Sequence, residues 1–282
     1  EEVLTHDILF RELIVQRSRA YVRQSQLQQG GNAAAFPTRE HPQVAAYSIK
    51  KTYGKLLKMI DDAFSREKPL FSLAIYFPLA YYTGKDATID PFAENRQKQV
   101  VGLIRVQFLK RFESSAHAFE SSCDRLLRKL LAFVTKHSES TSEKNRLERW
   151  KLQHKELIGY VHERQLEIFG DDDESDADED VVTDEMLESV TLLSRDEYKV
   201  EEMLSETFLD LDQVAAFLDE LRNFKPQHDD KLKALVKLLK TDSVLKKHKV
   251  LIFSEFADTA RYLKRQLNDR GIEGVDEIDR AS

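Results

Sequence analysis

The feature that most constrains this fold is a long run of apolar residues at steps of three and four. It covers residues 94–135 and includes Val101, Ile104, Phe108, Phe112, Ala116, Phe119, Cys123, Leu126, Leu130 and Val134. Such a stripe predicts one amphipathic helix of about 40 residues and about 60 Å. Residues 136–142 are typical of a turn. A second periodic segment follows, with Leu147, Trp150, Leu157, Val161 and Ile168, so we expect a long antiparallel helical hairpin.

Composition agrees with a mostly helical protein. The 282 residues contain 9 glycines and 6 prolines, and 33% of the residues are charged. This length suggests about two domains. A net charge of -7 argues against a uniformly basic nucleic-acid binder, although 43 lysines and arginines leave room for a local basic groove. The single cysteine, Cys123, excludes an internal disulfide and a cysteine-rich metal site. No apolar run is long enough for a bilayer, so we expect a cytoplasmic protein without a membrane partner.

A different pattern begins at Lys249. The four apolar residues that follow, Val250 to Phe253, suit a strand that is buried on both faces. Apolar residues at helical spacing come next, and Gly271 stands where a helix C-terminal glycine belongs. Residues 272–278 can return as a second strand. We therefore expect a small α/β part, a parallel strand–helix–strand unit, after the helical region.

These C-terminal residues resemble a known family. Lys231-Leu-Lys-Ala-Leu-Val-Lys-Leu-Leu239, the Val-Leu-Ile-Phe-Ser-Glu-Phe run and Asp258-Thr-Ala260 look like the start of the second ATPase lobe in superfamily-two helicases. They are most similar to the sucrose-non-fermenting (Swi/Snf-type) DNA translocases. The resemblance implies a partial RecA-like lobe here. The alternative is an ordinary strand–helix–strand unit of any nucleotide-binding α/β protein.

Two earlier stretches carry the same resemblance. Residues 13–22, then Phe36-Pro37 and Tyr53, are similar to the end of the first lobe, although Gln16 stands where an arginine is usual. Their arginines also suit a solvated basic helix end. Residues 108–115 (Phe-Leu-Lys-Arg-Phe-Glu-Ser-Ser) resemble a signature of a bacterial subgroup, found just ahead of the second lobe. These polar side chains are candidates for a phosphate backbone, for docking onto the adjoining lobe, or for the polar face of an amphipathic helix.

The resemblance implies a domain order, with the chain a middle fragment of a motor. Residues 1–66 would be the tail of the first ATPase lobe, and 67–170 a helical insertion with the long hairpin. Residues 171–182 hold a run of carboxylates and predict a flexible acidic linker. A helical segment would cover 183–230. The start of the second RecA-like lobe would cover 231–282.

The sequence lacks the residues that ATP hydrolysis needs. It contains no glycine-rich phosphate loop ending in Lys-Ser or Lys-Thr, no Asp-Glu box and no transition-state arginine that can be identified. We therefore assign no catalytic residue, no metal ligand and no cofactor to this chain, and expect it not to turn over ATP alone. The resemblance implies ATP and Mg²⁺ for a full-length parent.

The functional expectation for this chain comes from the family resemblance, because the composition alone indicates no function. It implies an ATP-dependent translocase on double-stranded DNA, with this chain gripping the DNA backbone and coupling the lobes. Its implied partners are double-stranded DNA and the rest of the same motor, in the cytoplasm, and at the nucleoid if the source is bacterial. The candidate nucleic-acid contacts are Arg17, Arg19, Lys110, Arg111, Ser254, Glu255, Phe256 and Thr259. The alternative is a non-enzymatic helical scaffold or regulatory module whose hairpin binds a protein partner.

Overall fold

A computed structural model describes residues 19–28, 30, 36, 41–64, 71–84, 92–161 and 184–278. The chain divides into two compact units, residues 1–44 and residues 45–282. In the first unit, helix α1 spans Arg19–Gln28. Residues 1–18, with Arg17, lie outside the described residues.

The second unit is built from helices. They are α2 (Ile49–Tyr53), α3 (Lys55–Ala63), α4 (Ala93–Ser114), α5 (Ala116–His137), α6 (Thr141–Gln153), α7 (155–161), α8 (Asp184–Ser189), α9 (Val200–Arg222), α10 (Asp230–Thr241) and α11 (Ala257–Asn268). Short 3-10 turns occur at Ala74–Tyr76, Pro78–Tyr81 and Pro226–His228. The mostly helical fold is therefore confirmed. Among the described helices, none combines the length and the apolar character that crossing a membrane requires.

The predicted 40-residue helix is in fact two helices that meet at Ser115. This residue leaves the helical conformation (φ -163°, ψ 155°), and its hydroxyl accepts the backbone N–H of Ala118 at 3.0 Å. A serine in this position satisfies one of the free N–H groups at the start of α5, so it favours a new helix over a continuous one. The apolar stripe continues across the break. For that reason the periodicity did not reveal it.

Helix α5 lies at the centre of the unit and is buried along most of its length. It packs against α4, α8, α9 and α11, and against α6 beyond the short connection 138–140. A capping box, in which Ser140 and Glu143 each accept a backbone N–H, starts α6 where a turn is predicted. However, α9 covers α5 more extensively than α6 does, so the hairpin partner predicted from periodicity is not the main one.

The core of this unit draws on residues from Leu56 to Leu221. Three phenylalanines mark its centre: the Phe119 and Phe217 rings lie 5.7 Å apart, and the Phe71 ring lies 5.8 Å from that of Phe217. Burying each such ring contributes about 1.5–3 kcal/mol. Side chains from the predicted segments 1–66, 67–170 and 183–230 thus share one core. The division into five segments remains a prediction.

The strand–helix–strand unit is not formed within the described residues. Val250 to Phe253 have no regular secondary structure, and Leu251 and Phe253 are 82% and 90% exposed. Residues 272–278 are likewise not a strand, and the described chain holds only an isolated antiparallel bridge between Tyr82 and Tyr198. A strand exists only when a neighbour takes up its backbone hydrogen bonds, and the described residues place none beside this segment. The helix between them, α11, is confirmed, and Gly271, three residues after its last residue Asn268, adopts φ 70°.

Candidate functional site

The structure brings six of the eight predicted contact residues together. Lys110, Ser254, Glu255, Phe256 and Thr259 line one cleft at the end of α4 and the start of α11, and Arg111 lies beside them over the Phe256 ring. Arg17 lies outside the described residues. Arg19 lies on α1 in the first unit, where its guanidinium sits 5.8 Å from the centre of the Phe36 ring. We call the contact between residues 110–115 and 254–259 the junction.

Helical spacing explains how residues 108–115 divide between core and junction. Phe108 and Phe112, four residues apart, are 8% and 6% exposed and pack on Phe119. Lys110, Arg111 and Ser114 point to the other side of α4, because steps of three and four residues share a face. The aromatic half of this stretch therefore anchors it, and the polar half is presented to α11.

The strongest contact of the junction joins Arg111 and Asp258. Arg111 Nη1 lies 2.9 Å from Asp258 Oδ2, with the side chains 25% and 11% exposed. Arg125, on α5, approaches the same oxygen at 3.4 Å. The Arg111 guanidinium also lies 4.6 Å from the centre of the Phe256 ring. A half-buried cation that contacts a carboxylate and an aromatic face holds its segment far more firmly than a surface pair does.

A second ion pair, Lys110–Glu255, is exposed. Lys110 Nζ lies 3.1 Å from Glu255 Oε1, and the side chains are 47% and 58% exposed. Such pairs contribute between zero and about 1 kcal/mol, because water and salt screen them. Lys110 therefore exchanges Glu255 for another anion at little cost, whereas Arg111 does not readily leave Asp258.

Three hydroxyl groups complete the junction. Thr259 Oγ1 lies 2.8 Å from Ser114 Oγ and 2.9 Å from Ser115 Oγ, and Thr259 is 6% exposed. The Ser115 oxygen already accepts the Ala118 N–H, so its own proton is available to Thr259. The two serines that end α4 and begin α5 thus have a second role, which is to receive α11.

Helix α10 also contacts both elements of the junction, α4 and α11. Lys231 Nζ donates to the carbonyls of Glu113 and Ser114, at 3.1 and 3.0 Å, and so satisfies the last turn of α4. Asp229 accepts the N–H of Leu232 at 2.9 Å and the hydroxyl of Tyr262 at 3.0 Å, which ties α10 to α11. Burial, together with the neighbouring Asp229 carboxylate, raises the pKa of Tyr262 well above its usual value, so Tyr262 stays protonated and donates.

Beside the junction lies a cleft of about 590 Å³. Its floor and walls carry both the junction residues and an apolar set: Ala234, Leu235, Leu238, Ile252, Phe253 and Leu263. Residues 252 and 253 belong to the exposed apolar segment that the sequence predicts as a strand. The cleft therefore lies between the exposed residues 252–253 and the apolar side of α10. In α/β proteins, apolar surfaces of this kind are covered by a β-sheet.

Several of these contact residues were missed in the sequence. Asp258 belongs to the Asp258-Thr-Ala260 motif, which assigns it no role, and the sequence indicates Lys231 only as the start of a helix. Arg125 carried no signal at all, because its partner Asp258 is 133 residues away. The opposite charges of residues 110–111 and 255–258 are the sequence signal that could have indicated their contact. Among the described residues, no group of three or more His, Cys, Asp or Glu side chains is arranged to hold a metal ion.

A buried histidine fastens the segment that leads into α9. His137 is 1% exposed; its Nδ1 lies 2.9 Å from the Phe133 carbonyl and its Nε2 lies 3.1 Å from the backbone N–H of Leu193. Nδ1 therefore carries the proton and Nε2 accepts. Burial, aided by the charges of Lys136 and Arg195, lowers the pKa of His137. Neutral His137 is thus required for this contact.

A second buried clamp holds the turn at residues 71–73. Asp210, which is 0% exposed, accepts the backbone N–H groups of Ser72 at 2.8 Å and Leu73 at 2.7 Å. Leu73 has φ 57°, a conformation that costs energy for any residue with a side chain. Burial raises the pKa of Asp210 to about 7, although the two N–H groups and Arg105 act in the opposite direction. The carboxyl group of Asp210 therefore stabilises a strained turn.

Comparison with known proteins adds no family to these observations: no protein-family model matches the chain, and neither a curated protein nor a solved structure matches it.

Proposed function

We propose that this chain is part of an ATP-dependent translocase on double-stranded DNA, and that the junction couples its helical bundle to a second motor lobe. One observation carries the proposal. Residues 108–115 and 254–259 each resemble the same translocase family, and they contact each other although Ser114 and Thr259 are 145 residues apart in sequence. Their contacts include two ion pairs, Lys110–Glu255 and Arg111–Asp258.

The contacts divide the candidate residues into two roles. Arg111 and Thr259 are positioning residues, because one is paired with Asp258 and the other is buried under Ser114 and Ser115. Lys110, Ser254 and Glu255 are exposed at the edge of the junction. Lys110 is the best placed for a phosphate, since its present partner holds it weakly.

The finer fold belongs to the same proposal. We expect Val250 to Phe253 to become a strand of a RecA-like sheet once neighbouring strands pair with it. In support, the segment is apolar and exposed, only three residues separate it from α11, and it borders an apolar cleft. Covering it would also remove from water the largest apolar side chains of this region.

Catalysis requires groups beyond those found in this sequence. Phosphoryl transfer needs a phosphate cradle, a metal-holding acid and a cation for the transition state. The proposal assigns ATP and Mg²⁺ to a larger parent, and to this chain the grip on DNA and the coupling. Measured hydrolysis of ATP by the 282-residue chain, stimulated by duplex DNA, would contradict this division of roles.

Duplex binding tests the proposal. Fluorescence anisotropy of a labelled duplex with the 282-residue chain is measured from 50 to 200 mM KCl. We expect binding whose affinity falls steeply with salt, because contacts to phosphate release counterions. No binding even at 50 mM KCl would refute it.

A helical scaffold is the second candidate, favoured by a specific feature of α4. Val100, Leu103, Val106 and Leu109 are 40–59% exposed along this helix. Exposed apolar side chains in such number are typical of a protein-binding surface. The scaffold hypothesis predicts that the chain does not bind duplex DNA even at low salt. It also predicts concentration-dependent association in sedimentation experiments.

A further inference from the structure

An unassigned basic surface lies next to the junction. Residues 231–249 contain seven lysines and a single carboxylate, Asp242, in a chain whose net charge is -7. The Asp242 carboxylate accepts the backbone N–H groups of Val244 and Leu245, each at 2.9 Å. These bonds lower its pKa, so it is ionised and closes the turn after α10. It forms no ion pair with a lysine of this surface within the described residues.

Two of the seven lysines have structural partners. Lys231 donates to the last carbonyls of α4, and Lys240 Nζ donates to the Arg270 carbonyl at 2.7 Å, which ties the end of α10 to the end of α11. The other five are exposed, and none of them forms an ion pair with a residue that the structure describes. We call these five the basic strip: Lys233, Lys237, Lys246, Lys247 and Lys249.

The strip has a defined geometry. Lys233 and Lys237 are four residues apart and share the outer face of α10, while Leu232 on the opposite face is 1% exposed. The chain then turns at Asp242, and backbone bonds within residues 242–247 hold the next lysines close to the helix end. Five cations thus follow one another along a helix and the turn that continues it.

We propose that the basic strip binds the phosphate backbone of double-stranded DNA. Lysine is a point charge that suits phosphate contact without base reading. Five cations that form no ion pair among the described residues supply more attraction than Lys110 and Arg111, which are already paired with carboxylates. The choice of DNA as the polyanion rests on the proposed function. The strip adds five DNA-contacting lysines to the candidate contacts that the family resemblance implies.

Two variants of equal charge test the strip. The triple substitution Lys246→Gln, Lys247→Gln and Lys249→Gln removes three strip cations. The control replaces Lys58, Lys144 and Lys155, which are exposed and form no ion pair among the described residues. All six side chains are exposed, so both proteins should fold, and far-UV circular dichroism verifies this. If the triple variant does not fold, the double variant Lys233→Gln and Lys237→Gln takes its place.

The readout is the slope of log affinity against log salt for a 20-base-pair duplex. Each lost phosphate contact reduces this slope by about 0.9, so we expect the strip variant to lose about 2.7 and to bind at least about tenfold more weakly at 100 mM KCl. The control should keep the wild-type slope. Equal slopes for the two variants would overturn the strip while leaving duplex binding by the chain intact.

Two further outcomes separate the hypotheses. If the wild-type chain binds no duplex at 50 mM KCl, the proposed function fails together with the strip. If poly-glutamate displaces the duplex at equal charge concentration, and does so only when the strip is intact, the surface binds acidic protein segments and the choice of DNA is wrong.

Discussion

The ion pair at the junction gives a prediction whose size can be worked from the structure. Replacing Arg111 by Met keeps the length of the side chain and removes its charge. The change deletes a 2.9 Å bond to Asp258 and the contact with the Phe256 ring. Asp258, 11% exposed, keeps only Arg125 at 3.4 Å. A charge-assisted bond of this kind contributes about 1.5–3 kcal/mol, and partial exposure of Arg111 places the expected loss near the lower limit, at about 1.5–2 kcal/mol.

The assay combines chemical denaturation with hydrogen exchange. Urea unfolding followed by circular dichroism gives the free energy of unfolding, and exchange of backbone amides in α11 shows where stability is lost. Lys110→Met is the matched control. It breaks an exposed pair on the same turn, so we expect a loss below about 1 kcal/mol and little change in α11.

A double-mutant cycle with Asp258→Asn isolates the pair. The coupling energy between positions 111 and 258 should exceed that between positions 110 and 255. If Arg111→Met and Lys110→Met cost the same and leave exchange in α11 unchanged, the junction does not hold α11 and the reasoning fails.

Three further predictions concern other contacts. Ser115→Ala removes the N-terminal cap of α5 and a hydrogen bond to Thr259. We expect the free energy of unfolding in urea titrations to fall by about 1–2 kcal/mol, and Ser142→Ala is the neutral control. Asp210→Ala leaves two buried backbone N–H groups without an acceptor, which should cost about 2–4 kcal/mol in the same assay; a loss below about 1 kcal/mol would contradict the clamp. His137 has a lowered pKa when folded, so its contribution to stability is present above its unfolded pKa of about 6.5 and is lost as pH falls below that value. Replacing it by Gln should flatten the decrease of unfolding free energy between pH 7 and pH 5, and an unchanged profile would rule out this role.

Much of the helical architecture could be predicted from the sequence, because helix formation depends on spacing within a few turns. Helix α9 lies within the helical segment expected at 183–230, and the helical spacing before Gly271 and that glycine itself correspond to α11 and the turn after it. The break at Ser115 was missed because α5 resumes the same apolar stripe one residue later. The serine pair was the visible clue, since serine favours helix ends over helix interiors.

Contacts between distant residues could not be predicted in this way. Nothing near Arg111 in the sequence indicates Asp258, because an ion pair across 147 positions depends on how helices pack. The same reason applies to α9, whose helical pattern was clear but whose position over α5 was not. For Val250 to Phe253, the sequence shows an apolar run, yet a strand also requires a neighbour, and the described residues supply none.

The central claim is that the junction faces duplex DNA and couples the bundle to a motor lobe. Hydrogen exchange of the 282-residue chain, with and without duplex DNA at 50 mM KCl, tests it most directly. We predict slower exchange at residues 110–115, 231–249 and 254–259 when the duplex is bound, and no change in α6 on another part of the bundle. Duplex binding that leaves those three stretches unchanged, or the absence of duplex binding, would contradict the claim.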